Sequence, residues 1–121
     1  MRALTVIETE RLKFLTENSV SVTLIEPTQT GLGKSIMDAT GPIRIYLKDN
    51  DIHDYSLQKQ GPENKTLIES FLIENLSIIH SNASLYRPNS KNGDPRIWFK
   101  HLIDYVKANE ILGIVAFQNK L

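Results

Sequence analysis

The chain has 121 residues, and its 14 Lys and Arg balance 14 Asp and Glu, so the net charge itself predicts no polyanion partner. A hydrophobic fraction of 40% and a charged fraction of 23% are typical of a folded globular domain and exclude a disordered chain. The absence of cysteine excludes disulfides and thiolate zinc sites, and it favours a cytoplasmic protein. No apolar run reaches the ~18 residues of a membrane span, so no membrane partner is expected.

The chain begins with a predicted helix and a predicted strand. Thr5 followed by Glu8 is typical of a capping box, and Asn18 can end the helix. From 20 to 25 apolar and hydroxyl side chains alternate, which predicts a strand with its apolar face in the core. That face consists of Val20, Val22 and Leu24.

The segment 28–35, TQTGLGKS, follows this strand and is predicted to form a loop. Gly33-Lys34-Ser35 matches the second half of a P-loop, but Thr28 stands where the first glycine belongs. No apolar strand ending in Asp follows to hold magnesium, so we expect no bound nucleotide. Exposed backbone N–H groups, a lysine and hydroxyl groups also suit a DNA phosphate, which makes this segment a first basic loop.

The middle of the chain has an ambiguous pattern. Gly41-Pro42 interrupts any helix that starts at Ile36, so the sequence favours a loop followed by a strand or a short helix from Pro42. Residues 52–65 are polar and are predicted to form a loop.

Two catalytic interpretations fall in this polar loop. His53-Asp54 resembles part of a metal site, but no other histidine has ligand spacing to it. Asp54, Glu63 and Lys65 match the two acids and the lysine of a metal-dependent nuclease, but Glu63 and Lys65 lie in a polar turn without a rigid strand. We therefore expect no catalytic residue, no metal and no cofactor.

The second half of the chain is predicted to consist mostly of strands. Strands are predicted at 66–73 and 76–80, a helical turn at 102–106, and a continuous apolar strand at 111–117 that we place at the centre of a sheet. The turn at 118–120 is followed by no strand, so we expect the chain to have been cut from a longer protein.

Between these elements, residues 81–101 predict a hairpin. Short strands at 83–87 and 96–99 flank a loop of turn-forming residues. Arg and Asn can make paired hydrogen bonds to base edges in the major groove, so a protruding loop of this composition suits DNA. An ordinary solvated hairpin is the alternative. The basic groups at and inside the loop are Arg87, Lys91, Arg96 and Lys100.

Charge is segregated along the chain despite the balanced total. Residues 29–48 carry three cations against one anion, and residues 82–101 carry four cations against one. Residues 49–81 hold six acids and two lysines. Two basic segments far apart in sequence would suit a two-loop grip on one phosphate backbone.

Three stretches carry a resemblance to a known family. They are the strand followed by PTQTGLGKS, the hairpin ASLYRPNSKNGDPRIWF and the tail HLIDYVKANEILGIVAF. In these stretches the chain resembles the B3-like DNA-binding domains found at one end of type II restriction endonucleases of the EcoRII and MvaI types. The resemblance implies a mainly-β fold, a seven-stranded pseudobarrel with one or two short helices. Residues 36–65 depart from the family pattern, because they are longer and more polar.

In that family, the loop after the first strand and the loop of a later hairpin form two arms that clasp DNA in the major groove. The resemblance therefore implies two sets of DNA-binding residues in this chain. The first arm consists of Gln29, Thr30, Gly31, Lys34 and Ser35. The second consists of Arg87, Asn89, Lys91, Asn92, Asp94, Arg96 and Trp98.

Two of these residues have a competing structural interpretation. Trp98 alternates with Ile97 and Phe99 in a strand, which also predicts a core position. We expect Arg87 or Arg96 to read a base, and Arg96 is the better candidate because Pro95 makes its approach rigid. Arg87 is alternatively held by Asp94 across the hairpin.

The sequence thus predicts a single domain, residues 1–121, that binds double-stranded DNA sequence-specifically without cutting it. The expected parent is a type II restriction endonuclease of a restriction-modification system, with its hydrolase domain beyond Leu121. Three alternatives remain open: a small metal-dependent nuclease, a nucleotide-binding protein that uses Lys34, and a protein-interaction module that uses the hairpin on an acidic partner.

Overall fold

The computed structural model describes residues 1–121 and contains three α-helices and six strands. The helices are Val6–Glu17 (α1), Gln29–Lys34 (α2) and Gly41–Asp49 (α3). The strands are Thr23–Ile25 (β1), Met37–Asp38 (β2), Thr66–Glu74 (β3), Ser77–Tyr86 (β4), Arg96–Phe99 (β5) and Leu112–Ile114 (β6).

All strand pairs are antiparallel, and they form two sheets. One sheet has the order β2-β5-β4-β3, and the other consists of β1 and β6. The fold is therefore mixed α/β, with three α-helices where one or two were expected. The sheets do not close into a barrel, so the predicted seven-stranded pseudobarrel is not confirmed.

Helix α1 has the predicted capping box. The Thr5 hydroxyl accepts a hydrogen bond from the Glu8 N–H at 3.1 Å, and the Glu8 carboxylate accepts one from the Thr5 N–H at 2.8 Å. Hydrogen bonds from Arg2 and Thr5 hold the pKa of Glu8 at about 2. No residue of α1 is buried, and Ile7 and Phe14 are exposed, so local bonds rather than core packing define this helix.

The small sheet corrects two predictions. Thr23 and Ile25 are the buried residues of β1, so the predicted inward face of Val20, Val22 and Leu24 is wrong. Strand β6 has three residues and pairs only with β1, so it is not central to a sheet. The first error arises because Ile25 puts an apolar side chain on the face opposite Val22 and Leu24, so the pattern does not fix which face is buried. The second arises because an apolar run does not specify how many strands pair with it.

Helix α3 resolves the ambiguous middle of the chain in favour of a helix. Pro42 lies in its first turn, where its missing N–H removes no helical hydrogen bond. Ile43 and Leu47 are four residues apart on one face, and both are fully buried. They join the core with Leu85, Ile97 and Leu102, and this packing outweighs the strand-like alternation.

The four-stranded sheet confirms the predicted strand at 66–73 and the hairpin at 81–101. Strand β4 is longer than expected, because the predicted strand at 76–80 continues into the hairpin without a break. Ala83 and Leu85 of β4 pair with Phe99 and Ile97 of β5, and all four side chains enter the core. Alternation then places Arg96 and Trp98 on the opposite face. The predicted helical turn is also present, at Leu102–Asp104.

Candidate nucleic-acid interface

The hairpin loop, defined here as residues 88–95, joins β4 to β5 and has an unusual backbone. Three consecutive residues have positive φ angles: Lys91 at 50°, Asn92 at 58° and Gly93 at 70°. The loop closes on itself through hydrogen bonds from the Gly93 N–H to the Ser90 carbonyl and from the Asp94 N–H to the Lys91 carbonyl. Its exposed side chains include Asn89, Lys91, Asn92 and Asp94.

Arg87, at the start of the loop, is a structural anchor. Its Nε donates to the Gly93 carbonyl at 2.9 Å, and its Nη1 donates to the Gln58 carbonyl at 3.0 Å. Both acceptors are backbone atoms, so the alternative in which Asp94 holds Arg87 is wrong. Through these two bonds Arg87 links the loop backbone at Gly93 to the backbone of Gln58, which lies 29 positions before Arg87 in the sequence.

That segment, residues 58–61, forms a brace beneath the hairpin loop and is named the brace below. The Gly61 N–H donates to the Arg87 carbonyl at 2.7 Å, and the Gln58 side chain donates to the Leu85 carbonyl at 2.8 Å. The Gln60 side chain lies against Gly93, where a Cβ atom would come within 2.5 Å of its amide nitrogen. The loop and the brace therefore form one hydrogen-bonded unit.

The brace was missed at the level of sequence. The polar composition of residues 52–65 predicted only a loop. Nothing in their spacing indicated that Gln58 and Gly61 bond to the hairpin. The available signals were the turn-forming Gly61-Pro62 pair and the isolated Gly93. Each marks a special backbone position, but neither identifies its partner.

Arg96 lies on β5 beside β2 and forms an ion pair with Asp38. Its side chain is 11% exposed, whereas that of Asp38 is 74% exposed. The buried Tyr55 hydroxyl donates to the Arg96 carbonyl at 2.9 Å, and burial raises the pKa of Tyr55 far above its ordinary value. As folded, Arg96 ties β2 to β5 through this ion pair, in which its own side chain is largely buried, and base reading by Arg96 stays a prediction.

Trp98 follows two positions later on the same face as Arg96. It is opposite Ser84 in the strand register, and it is partly buried against the core. The structural interpretation of Trp98 is therefore the better one, although part of the ring remains accessible.

The first predicted arm is a helix and not a loop. The Thr28 hydroxyl caps α2 by accepting from the Gly31 N–H at 2.9 Å, and the Ile36 N–H donates to the Gly31 carbonyl at 2.9 Å. Gly31 has no room for a side chain, because a Cβ atom would lie 2.6 Å from the Ile36 carbonyl oxygen. The N–H of Gly31 is thus already used within the protein. The exposed residues of this arm are Gln29, Thr30, Lys34 and Ser35.

The partial P-loop match also fails in three dimensions. Gly33 and Lys34 lie at the end of α2, and Ser35 is its left-handed C-cap with φ 54°. A P-loop places these residues before a helix, so that N–H groups surround the phosphate. A helix end presents carbonyl oxygens instead, which carry the opposite partial charge.

The two arms lie at different ends of the β2–β5 pair. Helix α2 leads directly into β2, whereas the hairpin loop adjoins the far end of β2 through the bond from the Ala39 N–H to the Pro95 carbonyl at 3.0 Å. No hydrogen bond or ion pair connects them. The two arms are therefore not bonded to each other, and their action on one duplex stays a prediction.

The residues of the nuclease alternative have structural contacts of their own. The Asp54 carboxylate accepts hydrogen bonds from the Ser56 hydroxyl and N–H, which lower its pKa. Glu63 is exposed in a turn, and the Lys65 ammonium lies 5.0 Å from the centre of the Tyr86 ring. No group of three His, Cys, Asp or Glu side chains is arranged to hold a metal ion.

Comparisons with protein-family models, with curated proteins and with solved structures give no match. None of the helices combines the length and the apolar character that crossing a membrane requires.

Proposed function

We propose that this domain binds double-stranded DNA sequence-specifically through the hairpin loop, with the loop entering the major groove. The observation that carries the proposal is the anchoring of an exposed polar loop by Arg87 and the brace. A loop that is already ordered loses little conformational entropy on binding, so more of its contact energy appears as affinity.

The proposed readers of the bases are Asn89 and Asn92. Both amides are exposed, and an amide can form two hydrogen bonds to adenine N6 and N7. Lys91 lies between them, carries no ion pair and suits a phosphate or a guanine. Arg87 uses the N–H of Nε and one N–H of Nη1 within the protein, which leaves both N–H groups of Nη2 and the second of Nη1 as donors. Arg96 acts in this proposal as a support of the loop.

The proposal has four more specific parts, which concern the parent protein, the compartment, a second DNA contact and the absence of cleavage. The domain is the recognition module of a type II restriction endonuclease of the B3-like group, it acts in the cytoplasm, and α2 supplies a second DNA contact through Lys34. The chain itself is proposed not to cut DNA. Magnesium-dependent cleavage of a plasmid by the purified chain, lost in Glu63→Ala, would overturn that last part.

Selection from a random duplex pool tests base reading. The parent chain should enrich one sequence, and Asn92→Gly should relax the preference at one base pair by about 1–3 kcal/mol of discrimination. Glycine keeps the positive φ angle of Asn92 and removes only the amide.

Asn119→Gly is the matched control, because Asn119 is also exposed with a positive φ angle but lies in the turn after residue 117. It should select the same sequence as the parent chain. If the parent enriches no sequence, or if Asn89→Ala and Asn92→Gly both select as strongly as the parent, base reading by the hairpin loop is wrong.

A further inference from the structure

Three lysines surround the hairpin loop, and none of them forms an ion pair. Lys59 lies in the brace, Lys65 immediately precedes β3, and Lys91 lies in the loop itself. All three are exposed, and no ion pair of the chain includes them. Two acids of this region, Glu63 and Asp94, are also exposed and unpaired, and a third, Asp54, is paired with Lys48, so the unpaired cations outnumber the unpaired anions by one.

The position of Lys59 is fixed by its neighbours in the brace. Gln58 accepts from Arg87 through its carbonyl, and Gly61 donates to the carbonyl of the same arginine at 2.7 Å. Lys59 lies between these two attachment points. Arg87 also holds Gly93 at 2.9 Å, two residues after Lys91. One guanidinium therefore holds the backbone beside both lysines.

Lys65 is placed by the sheet. Thr66 pairs with Leu85 of β4, so the residue before Thr66 lies beside Tyr86. The ammonium of Lys65 is 5.0 Å from the centre of the Tyr86 ring. A cation over an aromatic face keeps its full charge, so Lys65 stays available to an anion.

An open depression of about 500 Å³ extends this surface on the side of the brace. Its lining includes Lys59, Gln58, Asn64 and Thr66, together with the carboxylate of Asp54. Most of its lining residues are polar. Lysine is a compact, strongly hydrated charge that suits backbone phosphates, which are contacted without regard to base sequence.

We infer that Lys59 and Lys65 bind the DNA phosphates that flank the base pairs read by the hairpin loop. The region 58–65 is then a third contact segment, in addition to α2 and the loop. This inference rests on the proposed DNA binding and names the residues that position the duplex. The partner that Lys59 and Lys65 require is a polyanion with regularly spaced phosphates beside the loop.

The salt dependence of binding tests the inference. Each phosphate contact contributes about −0.9 to the slope of log K against log salt concentration. Lys59→Gln and Lys65→Gln should each reduce the steepness of that slope by about 0.9 on the duplex that the parent chain selects. The selected base sequence should stay the same. Glutamine keeps a polar, flexible side chain that is one carbon atom shorter, and it removes the charge.

Lys107→Gln is the matched control, since Lys107 is exposed, has no ion pair and lies outside the hairpin loop and the brace. Its slope should equal that of the parent. Thermal unfolding of each variant verifies that the fold is intact.

The two possible failures can be told apart. If the parent chain binds no duplex, the proposed function fails and this inference fails with it. If the parent binds and Lys91→Gln reduces the slope while Lys59→Gln and Lys65→Gln leave it unchanged, the inference alone is overturned. A changed base preference in either variant would also overturn it, because that result indicates base contact.

Discussion

The α2 segment, residues 28–35, and the hairpin loop contain similar residue types but are held in different ways. In α2 the hydrogen bonds stay close in sequence, as between Thr28 and Gly31 or between Ile36 and Gly31. The hairpin loop depends on Arg87, whose bond to Gln58 spans 29 positions. A glycine-rich basic segment can thus become a helix with local hydrogen bonds, held to the core through Leu32, or a loop held by long-range hydrogen bonds.

The largest expected effect comes from Arg87→Ala, which cuts the long-range anchoring. The substitution removes two charge-assisted hydrogen bonds and leaves the Gly93 and Gln58 carbonyls without these partners. We expect the free energy of unfolding to fall by about 2–3 kcal/mol. Denaturant unfolding measures it, and amide hydrogen exchange should increase in both the loop and the brace.

Arg11→Ala is the control for this prediction, because Arg11 is exposed on α1 and makes no side-chain hydrogen bond or ion pair. It should change the free energy of unfolding by less than about 0.5 kcal/mol. A loss of similar size in both variants would mean that Arg87 is not a specific anchor.

A pair of glycine substitutions sharpens the contrast between the two segments. Gly93→Ala puts a side chain at φ 70° and within 2.5 Å of the Gln60 amide, so we expect a loss of about 1–2 kcal/mol. Gly33→Ala lies in α2 with nothing within 4 Å of the new Cβ, and it should stabilise by about 0.5–1 kcal/mol. Thermal unfolding of the two variants should show shifts in opposite directions. Equal shifts of the unfolding temperature in the two variants would contradict the contrast between α2 and the hairpin loop.

A change of pH near neutrality should affect the hairpin side through His53 and leave α2 unchanged. Burial lowers the pKa of His53 below its ordinary value of 6.5, although hydrogen bonding to Gln58 opposes the shift. The unfolded chain therefore binds more protons just below that value, and the contribution of His53 to stability, present above pH 6.5, is lost as pH falls. His53 contacts Gln58 of the brace at 3.1 Å, whereas α2 has no such link.

Denaturant unfolding at about pH 7.5 and about pH 5.5 measures this dependence, and His53→Gln should reduce it because glutamine does not titrate. Hydrogen exchange should increase in the brace and the loop at the lower pH while α2 is unchanged. An identical pH dependence in the parent and in His53→Gln would refute the role of His53.

The smallest effect is expected for Lys34→Ala. If α2 contacts the same duplex as the hairpin loop, the slope of log K against log salt concentration should become shallower by about 0.9, with the same loss of affinity for all sequences. ATP should not compete for the site. An unchanged slope would restrict the interface to the side of the hairpin loop and the brace, while competition by micromolar ATP would support the nucleotide alternative.

Part of the candidate site follows from local sequence. Turn-forming residues between two alternating segments predicted the hairpin and its exposed loop, because turns depend on the backbone preferences of Asn, Gly and Pro themselves. The capping box was predicted from Thr5 followed by Glu8, and the strand at 66–73 from its apolar residues, which are also local patterns. The helix at α2 was missed, because the glycines at 31 and 33 indicated a loop and the capping role of Thr28 was not recognised.

The roles of the two arginines were decided by tertiary structure. From sequence, Arg96 was the better base reader, but the pairing of β2 with β5 places Asp38 beside it. Arg87 was expected to contact DNA or, alternatively, Asp94; it does not pair with Asp94 but donates to the backbone carbonyls of Gly93 and Gln58. A charged side chain binds whichever partner the fold brings near, and that partner is not encoded in its own neighbourhood.

By itself the sequence thus determined the elements that a local residue pattern marks: the cap of α1, the strand β3, the hairpin and the turn at Leu102. The tertiary structure decided which face of β1 is buried, that α3 is a helix, and that the brace supports the loop. The physical reason is that caps, turns and strand alternation depend on residues a few positions apart. Burial and long-range hydrogen bonds depend on packing between distant segments.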